Sequence, residues 1–214
     1  MLAGTIASSI ASTQPPGHAL PIIVAGLAFQ GVGFMVSTFM YAIYISRLMT
    51  SGLPIPSMRP GMFIAVGPPS FTGLAILGMS AATRKIYPGY TTITDVINPG
   101  NISDIFRVVA LTFAIFLWVL SFWFFSISLV AVLTGLKGKM EFHLSWYCFV
   151  FPNVGFTIAL IDIGSALQSS GILWLGSAMT ILVVLIFLFV MGSHVKAVLR
   201  GKIMWPGRDE DHDE

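Results

Sequence analysis

Apolar residues run along this chain in blocks of membrane length, parted by short polar interruptions. A hydrocarbon core about 30 Å thick takes about 20 apolar residues in helical form. On that measure the pattern predicts spans at about 20–45, 60–82, 108–136, 144–165 and 171–193. A shorter block at 1–12 gives way to Ser12-Thr13-Gln14-Pro15-Pro16-Gly17-His18. It reads as the end of a transmembrane helix whose beginning is missing. A secretory signal would open on basic residues, and none precedes Arg47. The expected fold is all-α and integral to the membrane, with about six transmembrane helices in hairpins. They form one domain over 1–203, followed by an acidic cytoplasmic tail at 204–214.

Two blocks are broken in mid-span. The third reads Gly61-Met62-Phe63-Ile64-Ala65-Val66-Gly67-Pro68-Pro69-Ser70-Phe71-Thr72, and the fifth Phe149-Val150-Phe151-Pro152-Asn153-Val154-Gly155. Proline removes an amide donor and collides with the carbonyl four residues back, which costs about 3 kcal/mol or more inside a helix. No water replaces the lost partner in lipid, so such breaks persist only against protein or a water-filled cavity. The second and fourth blocks are long, aromatic and free of internal proline. Leu117-Trp118-Val119-Leu120-Ser121-Phe122-Trp123-Phe124-Phe125 is typical, in a block long enough to tilt. Small and hydroxylated residues in the third and fifth blocks allow close packing or line a cavity. The alternation predicts odd members inside and even members facing lipid. Val66-Gly67-Pro68 also returns as Val150-Phe151-Pro152, with Phe71-Thr72 and Phe156-Thr157 following at spacings off by one. Repeats of this kind accompany substrate paths at broken helices; chance matching in a low-diversity membrane alphabet is the other reading.

Hydrophobic residues make up 56% and charged residues 9%, against roughly a quarter charged in soluble domains. A separate soluble domain is therefore not expected. Arg47, Arg59, Lys137, Lys139, Lys196, Arg200, Lys202 and Arg208 follow even blocks, while Arg84, Lys85 and Arg107 follow odd ones. Eight against three places the C-terminus in the cytoplasm by the positive-inside bias. The loop from Thr83 to Asp104 then faces outside, with turn signals at Pro88-Gly89 and Asn98-Pro99-Gly100 and a glycosylation sequon at Asn101-Ile102-Ser103. Cys148 stands alone, so no intramolecular disulfide forms. The basic residues cluster at helix ends and leave no nucleic-acid footprint. There is no glycine-rich phosphate loop, no His/Cys cluster with ligand spacing and no triad, so no cofactor, metal or catalytic site is expected. The acidic run at 209–214 reads as a solvated tail.

Two stretches resemble a known family. Arg59-Pro60-Gly61-Met62-Phe63-Ile64-Ala65-Val66-Gly67-Pro68-Pro69 looks like a signature of fungal malic acid transport proteins. Trp146-Tyr147-Cys148-Phe149-Val150-Phe151-Pro152 resembles the aromatic-x-Phe-Pro pattern of the wider family. That family is the tellurite-resistance/dicarboxylate transporters, joined with plant slow anion channels in a voltage-dependent anion channel superfamily. The resemblance covers nearly the whole chain but only about the last six of ten family helices. It implies the C-terminal part of a ten-helix, five-hairpin pore fold with kinked inner helices and a phenylalanine occluding the conduit. Some members are homo-trimers with a pore in every protomer. The first two hairpins are absent here, and three inner helices do not close a ring of five. A truncated, non-transporting remnant is therefore an alternative to a working pore.

By the same resemblance Phe151, just before Pro152, is the gate candidate, with Phe149, Gly155, Gly67, Pro68 and Pro152 lining the path. Core packing is the other role open to both phenylalanines. Helical spacing sets Phe151, Gly155, Ile158 and Asp162 on one face. Asp162 is the acidic residue inside a span, where ionisable groups are functional candidates. It either couples proton movement to anion movement or is an ordinary interfacial residue. Ser70 and Thr72 offer hydroxyl donors beside Pro68-Pro69, near helix amides whose dipole favours anions; Asn153 and Thr157 do so at the second break. These four either bind a carboxylate substrate or bond carbonyls that the prolines free. The function expected is transport of small organic anions, chiefly malate or another C4-dicarboxylate, across the lipid bilayer of the plasma membrane. Sulfite or another inorganic anion is the alternative cargo. An intramembrane enzyme is disfavoured, because no base and nucleophile pair up at membrane depth.

Overall fold

The computed structural model describes residues 2–86, 99–136 and 142–201. Helices α1 (Ala3–Ala11) and α2 (Pro16–Ser51) come first. A 3₁₀ segment (Pro56–Val66) then runs directly into α3 (Gly67–Ile86). After α4 (Pro99–Gly135), a second 3₁₀ segment (Leu144–Phe149) leads into α5 (Phe151–Ala166), and α6 (Ser170–Leu199) ends the described chain. No strand occurs among the described residues. Five stretches are long and apolar enough to cross a membrane, and the protein is an integral membrane protein of all-α fold.

The helices outrun the apolar blocks that announce them. α2 extends past both ends of its block, α4 starts earlier and α6 ends later. Hydropathy marks where lipid stops, whereas backbone hydrogen bonding continues through good interfacial helix formers such as Arg47 and Lys196. Two expectations are corrected. Pro21 lies inside α2, so that block is not free of internal proline. Pro99 opens α4, which places Asn101-Ile102-Ser103 in its first turns and not in a loop; proline suits a first helical turn because its missing donor is not needed there. The expected acidic tail at 204–214 and the loop segment 87–98 lie outside the described residues.

Burial alternates along the chain. In Pro56–Thr83, 72% of the apolar window is buried inside the protein, against 22% in α2, 28% in α4 and 6% in α6. Leu144–Ala166 is intermediate at 39%. The inner spans are therefore α3 with its 3₁₀ segment and, to a lesser degree, α5, backed by α2, α4 and α6. This is the arrangement that the alternation of residue types predicts.

Small residues set the closest approaches. A Cβ on Gly26 of α2 would lie 2.2 Å from Ala7 Cβ of α1, so only glycine permits this crossing. Close contact of small residues drives such packing where lipid removes the hydrophobic incentive. One buried amide ties three helices together. Gly4 N–H donates to Gln30 Oε1 at 3.2 Å, and Gln30 Nε2 donates to Thr72 Oγ1 at 2.9 Å. On the other side of α3, Phe63, Val66, Phe124 and Phe156 form an apolar core. Trp118 of α4 stacks on Phe156 with centroids 4.8 Å apart and donates its indole N–H to the Phe156 carbonyl at 3.1 Å.

Candidate functional site

Both breaks are built alike. Each is a 3₁₀ segment that hands over to an α-helix with proline in its first turn. A first turn tolerates proline because its amides have no helical partner. The tighter 3₁₀ winding pairs each N–H with the carbonyl three residues back, so a proline there orphans one carbonyl. Every such carbonyl at the breaks is taken by a side chain. Pro60 leaves Ser57, which receives Ser145 Oγ–H at 3.3 Å. Pro68 leaves Ala65, which receives Tyr41 O–H at 2.9 Å. Val66, whose carbonyl already accepts the first α-helical bond of α3, also receives Ser70 Oγ–H at 2.7 Å. Pro152 leaves Phe149, which receives Asn153 Nδ2–H at 2.9 Å. Irregular backbone survives at membrane depth because protein donors replace water.

This geometry fixes where the polar candidates point. Ser70 is fully buried, and its oxygen also lies 2.9 Å from Ser121 Oγ of α4. Thr72 donates to the Pro68 carbonyl at 2.7 Å and accepts from Gln30. Thr157 donates to the Asn153 carbonyl at 2.7 Å. The hydroxyl hydrogens of Thr72 and Thr157 are committed to carbonyls of their own helix, and that of Ser70 is shared between the Val66 carbonyl and Ser121 Oγ.

The breaks also meet. A Cβ on Gly67 would sit 3.7 Å from Pro152 Cβ, which brings the two proline turns side by side. The Phe71 ring lies against Gly155, where an added Cβ would come within 2.7 Å of Phe71 Cζ. Phe71 in turn stacks on Phe151, with centroids 5.1 Å apart and planes 30° from parallel. Gly67, Pro152, Gly155 and Phe151 thus form one constellation on the inner helices, and Phe71 is its centre. Phe71 itself is buried at 6% exposure, whereas Phe151 is 56% exposed.

The face named from helical spacing is only partly continuous. Phe151 and Ile158 are exposed and Asp162 is half-buried, but Gly155 is covered by Phe71. Phe149 turns the other way, 5.4 Å from Phe63 between centroids, into the core shared with α4. Asp162 lies near the far end of α5 on a cavity of about 480 Å³ that also holds Arg107, Ser80 and Ser165. The structure therefore separates Phe151 from Phe149, and both from Asp162.

Three residues at this site were not singled out from sequence. Phe71 was visible only as part of a repeated Phe-Thr pair. Gln30, a lone amide in an apolar block, carried the clearest signal, because a buried amide in lipid needs partners. Tyr41 gave none, since tyrosine is common in membrane helices and its target is an orphaned carbonyl on another span.

A family model described as voltage-dependent anion channel matches residues 1–195 of the chain. The "Malic acid transport protein" of Schizosaccharomyces pombe is 33% identical over 99% of this chain and 47% of its own length. A second protein of that organism is 34% identical over 100% of this chain and 48% of its own. The "Sulfite efflux pump SSU1" of Trichophyton rubrum is 24% identical over 90% of the chain and 48% of its own length. The chain spans about half the length of the curated relatives it matches. No solved structure matches it.

Proposed function

The chain belongs to the voltage-dependent anion channel family, and on that footing we propose that it forms part of a path for small organic anions. Malate or another C4-dicarboxylate is the cargo, and the ring of Phe151 closes the path. The observation that carries this reading is the pairing of the two breaks around an exposed phenylalanine, backed by the buried Phe71. A ring held over a proline turn blocks ions sterically, while the 3₁₀-to-α junction beside it offers a second backbone geometry. Ser70 and Thr72 keep the break in shape and do not hold substrate. That suits a conduit, which must bind weakly enough to let its ion leave. Asp162 and Arg107 belong to the mouth. The protein sits in the plasma membrane with its C-terminus in the cytoplasm and assembles as a homo-trimer.

Malate is favoured by the 33% identity to a malic acid transport protein. A second reading, sulfite or another inorganic anion, is supported by the efflux-pump relatives. Proteoliposomes holding the wild-type chain or Phe151→Ala test both. Labelled malate flux and anion current should rise severalfold on removal of the ring. Sulfite that competes while malate does not move would favour the second cargo. Identical flux in the two proteins would overturn the gate, and background flux of both anions in both proteins would overturn transport by this chain.

A further inference from the structure

At the end of α3 and α5 away from the breaks, α3, α4 and α5 frame a cavity of about 480 Å³. Arg107 of α4, Asp162 and Ser165 of α5 and Ser80 of α3 are among the residues that line it. Asp162 lies eleven residues along α5 from Phe151, about 16 Å of helix, so this space is separate from the ring over the break. Its two charged residues are opposite in sign and are not joined. Among the described residues neither Arg107 nor Asp162 makes a hydrogen bond or ion pair through its side chain. Arg107 is exposed and Asp162 half-buried. The Asp162 oxygens are not sealed in either, because the buried side-chain atoms left unpartnered are Tyr44 Oη, Trp146 Nε1 and Asn153 Oδ1. The carboxylate thus keeps open surface. Ser80 adds no donor, since its hydrogen goes to the Leu77 carbonyl at 2.8 Å.

Ionisable groups inside a span are costly to keep and mark functional positions. A plain anion would satisfy Arg107 and be repelled by Asp162; a plain cation would do the reverse. The occupant that suits both carries an anionic group and, a short way along, a hydrogen-bond donor. We propose that this cavity binds organic acids bearing a hydroxyl group and selects them over acids without one. Arg107 pairs with a carboxylate, its fork of N–H donors matching the two oxygens, and Asp162 accepts the hydroxyl hydrogen. The inference rests on the anion-path reading and narrows its cargo to hydroxy acids such as malate, against plain dicarboxylates such as succinate. Succinate offers Asp162 no donor and sets like charges near each other, so one residue attracts the first acid and rejects the second. A cavity this wide leaves water around the bound acid. The hold is therefore weak, as an entrance requires if the ion is to move on.

Displacement of labelled L-malate from the full chain in bilayer nanodiscs, read by scintillation proximity, tests this without measuring flux. At about pH 7.5 the carboxyl groups of both competitors are ionised, so unlabelled malate and succinate differ only in the hydroxyl. Malate should displace the label at about fivefold lower concentration than succinate, the worth of one hydrogen bond. Asp162→Leu should erase that preference in part by tightening succinate, a gain that damage to the fold would not produce. Arg107→Gln should weaken both acids about tenfold, the worth of a bond to a charged group. Equal displacement by the two acids in the wild-type protein, or a malate preference that survives Asp162→Leu, would overturn the proposal. Aspartate displacing the label better than malate would assign Asp162 to an amine and overturn it as well. Failure of the wild-type chain to bind malate saturably would instead overturn the anion-path reading beneath it.

Discussion

The contact between Gly155 and Phe71 makes a sharp prediction because two opposing effects act on one substitution. Gly155→Ala introduces a methyl with Phe71 Cζ, Cε1 and Cε2 only 2.7, 2.8 and 2.9 Å away. Carbon atoms pack at about 3.5–4.0 Å, so the ring must retreat. It has little room, being buried and stacked on Phe151. Overpacking of this kind costs about 1–3 kcal/mol. Alanine in a helix gains about 1 kcal/mol over glycine, so the net loss should be about 0–2 kcal/mol. In a Phe71→Leu background the ring edge is gone and only the helix gain remains. There the same Gly155→Ala change should stabilise by about 1 kcal/mol. The sign reverses, and the coupling between the sites is about 1–3 kcal/mol. Reversible unfolding of the four proteins in mixed micelles, titrated with a denaturing detergent, measures it. Stabilisation by Gly155→Ala in the wild-type background, or effects equal within about 0.5 kcal/mol in both backgrounds, would refute the close contact.

Gln30→Leu strips the acceptor from the Gly4 amide and the donor from Thr72. Leaving a buried polar group unsatisfied costs about 1–3 kcal/mol, so the melting temperature in detergent should fall and α1 should become the first helix to exchange its amides. Arg59 donates to the Pro54 and Ala131 carbonyls and to Thr134 Oγ1. Arg59→Lys keeps the charge but not the fork of donors, and hydrogen exchange should speed up at the C-terminal turn of α4. Unchanged exchange there would show that the charge alone suffices.

Much of this architecture was legible because lipid imposes few rules and enforces them strictly. Span length, the two broken helices and the inner-outer alternation follow from hydropathy and the placing of Gly, Pro, Ser and Thr. The ends of α2, α4 and α6 were not legible, since nothing in hydropathy distinguishes an interfacial helix turn from a loop. The site was half legible. Gly67, Phe151, Pro152 and Gly155 could be named from motif and spacing, yet their meeting point at Phe71 depends on how α3 rotates against α5. The partners at the breaks were not legible, because the donor to Ala65 is Tyr41 on another span and the donor to Ser57 is Ser145 in the other 3₁₀ segment.

The 3₁₀ segments also hold length in reserve. The six residues 61–66 beyond Pro60, at about 2.0 Å of rise each, span about 12 Å; rewound as α-helix at 1.5 Å they would span about 9 Å. The six residues of Leu144–Phe149 would shorten from about 12 to about 9 Å. Pro68, Pro69 and Pro152 prevent either change from running on into α3 or α5, because no α-helical ladder passes through them. Shortening would instead draw in the opposite ends, where Arg59 grips α4 and Ser145 grips Ser57. The second of these bonds joins the two segments to each other, so the slack in one inner helix cannot be taken up without the other.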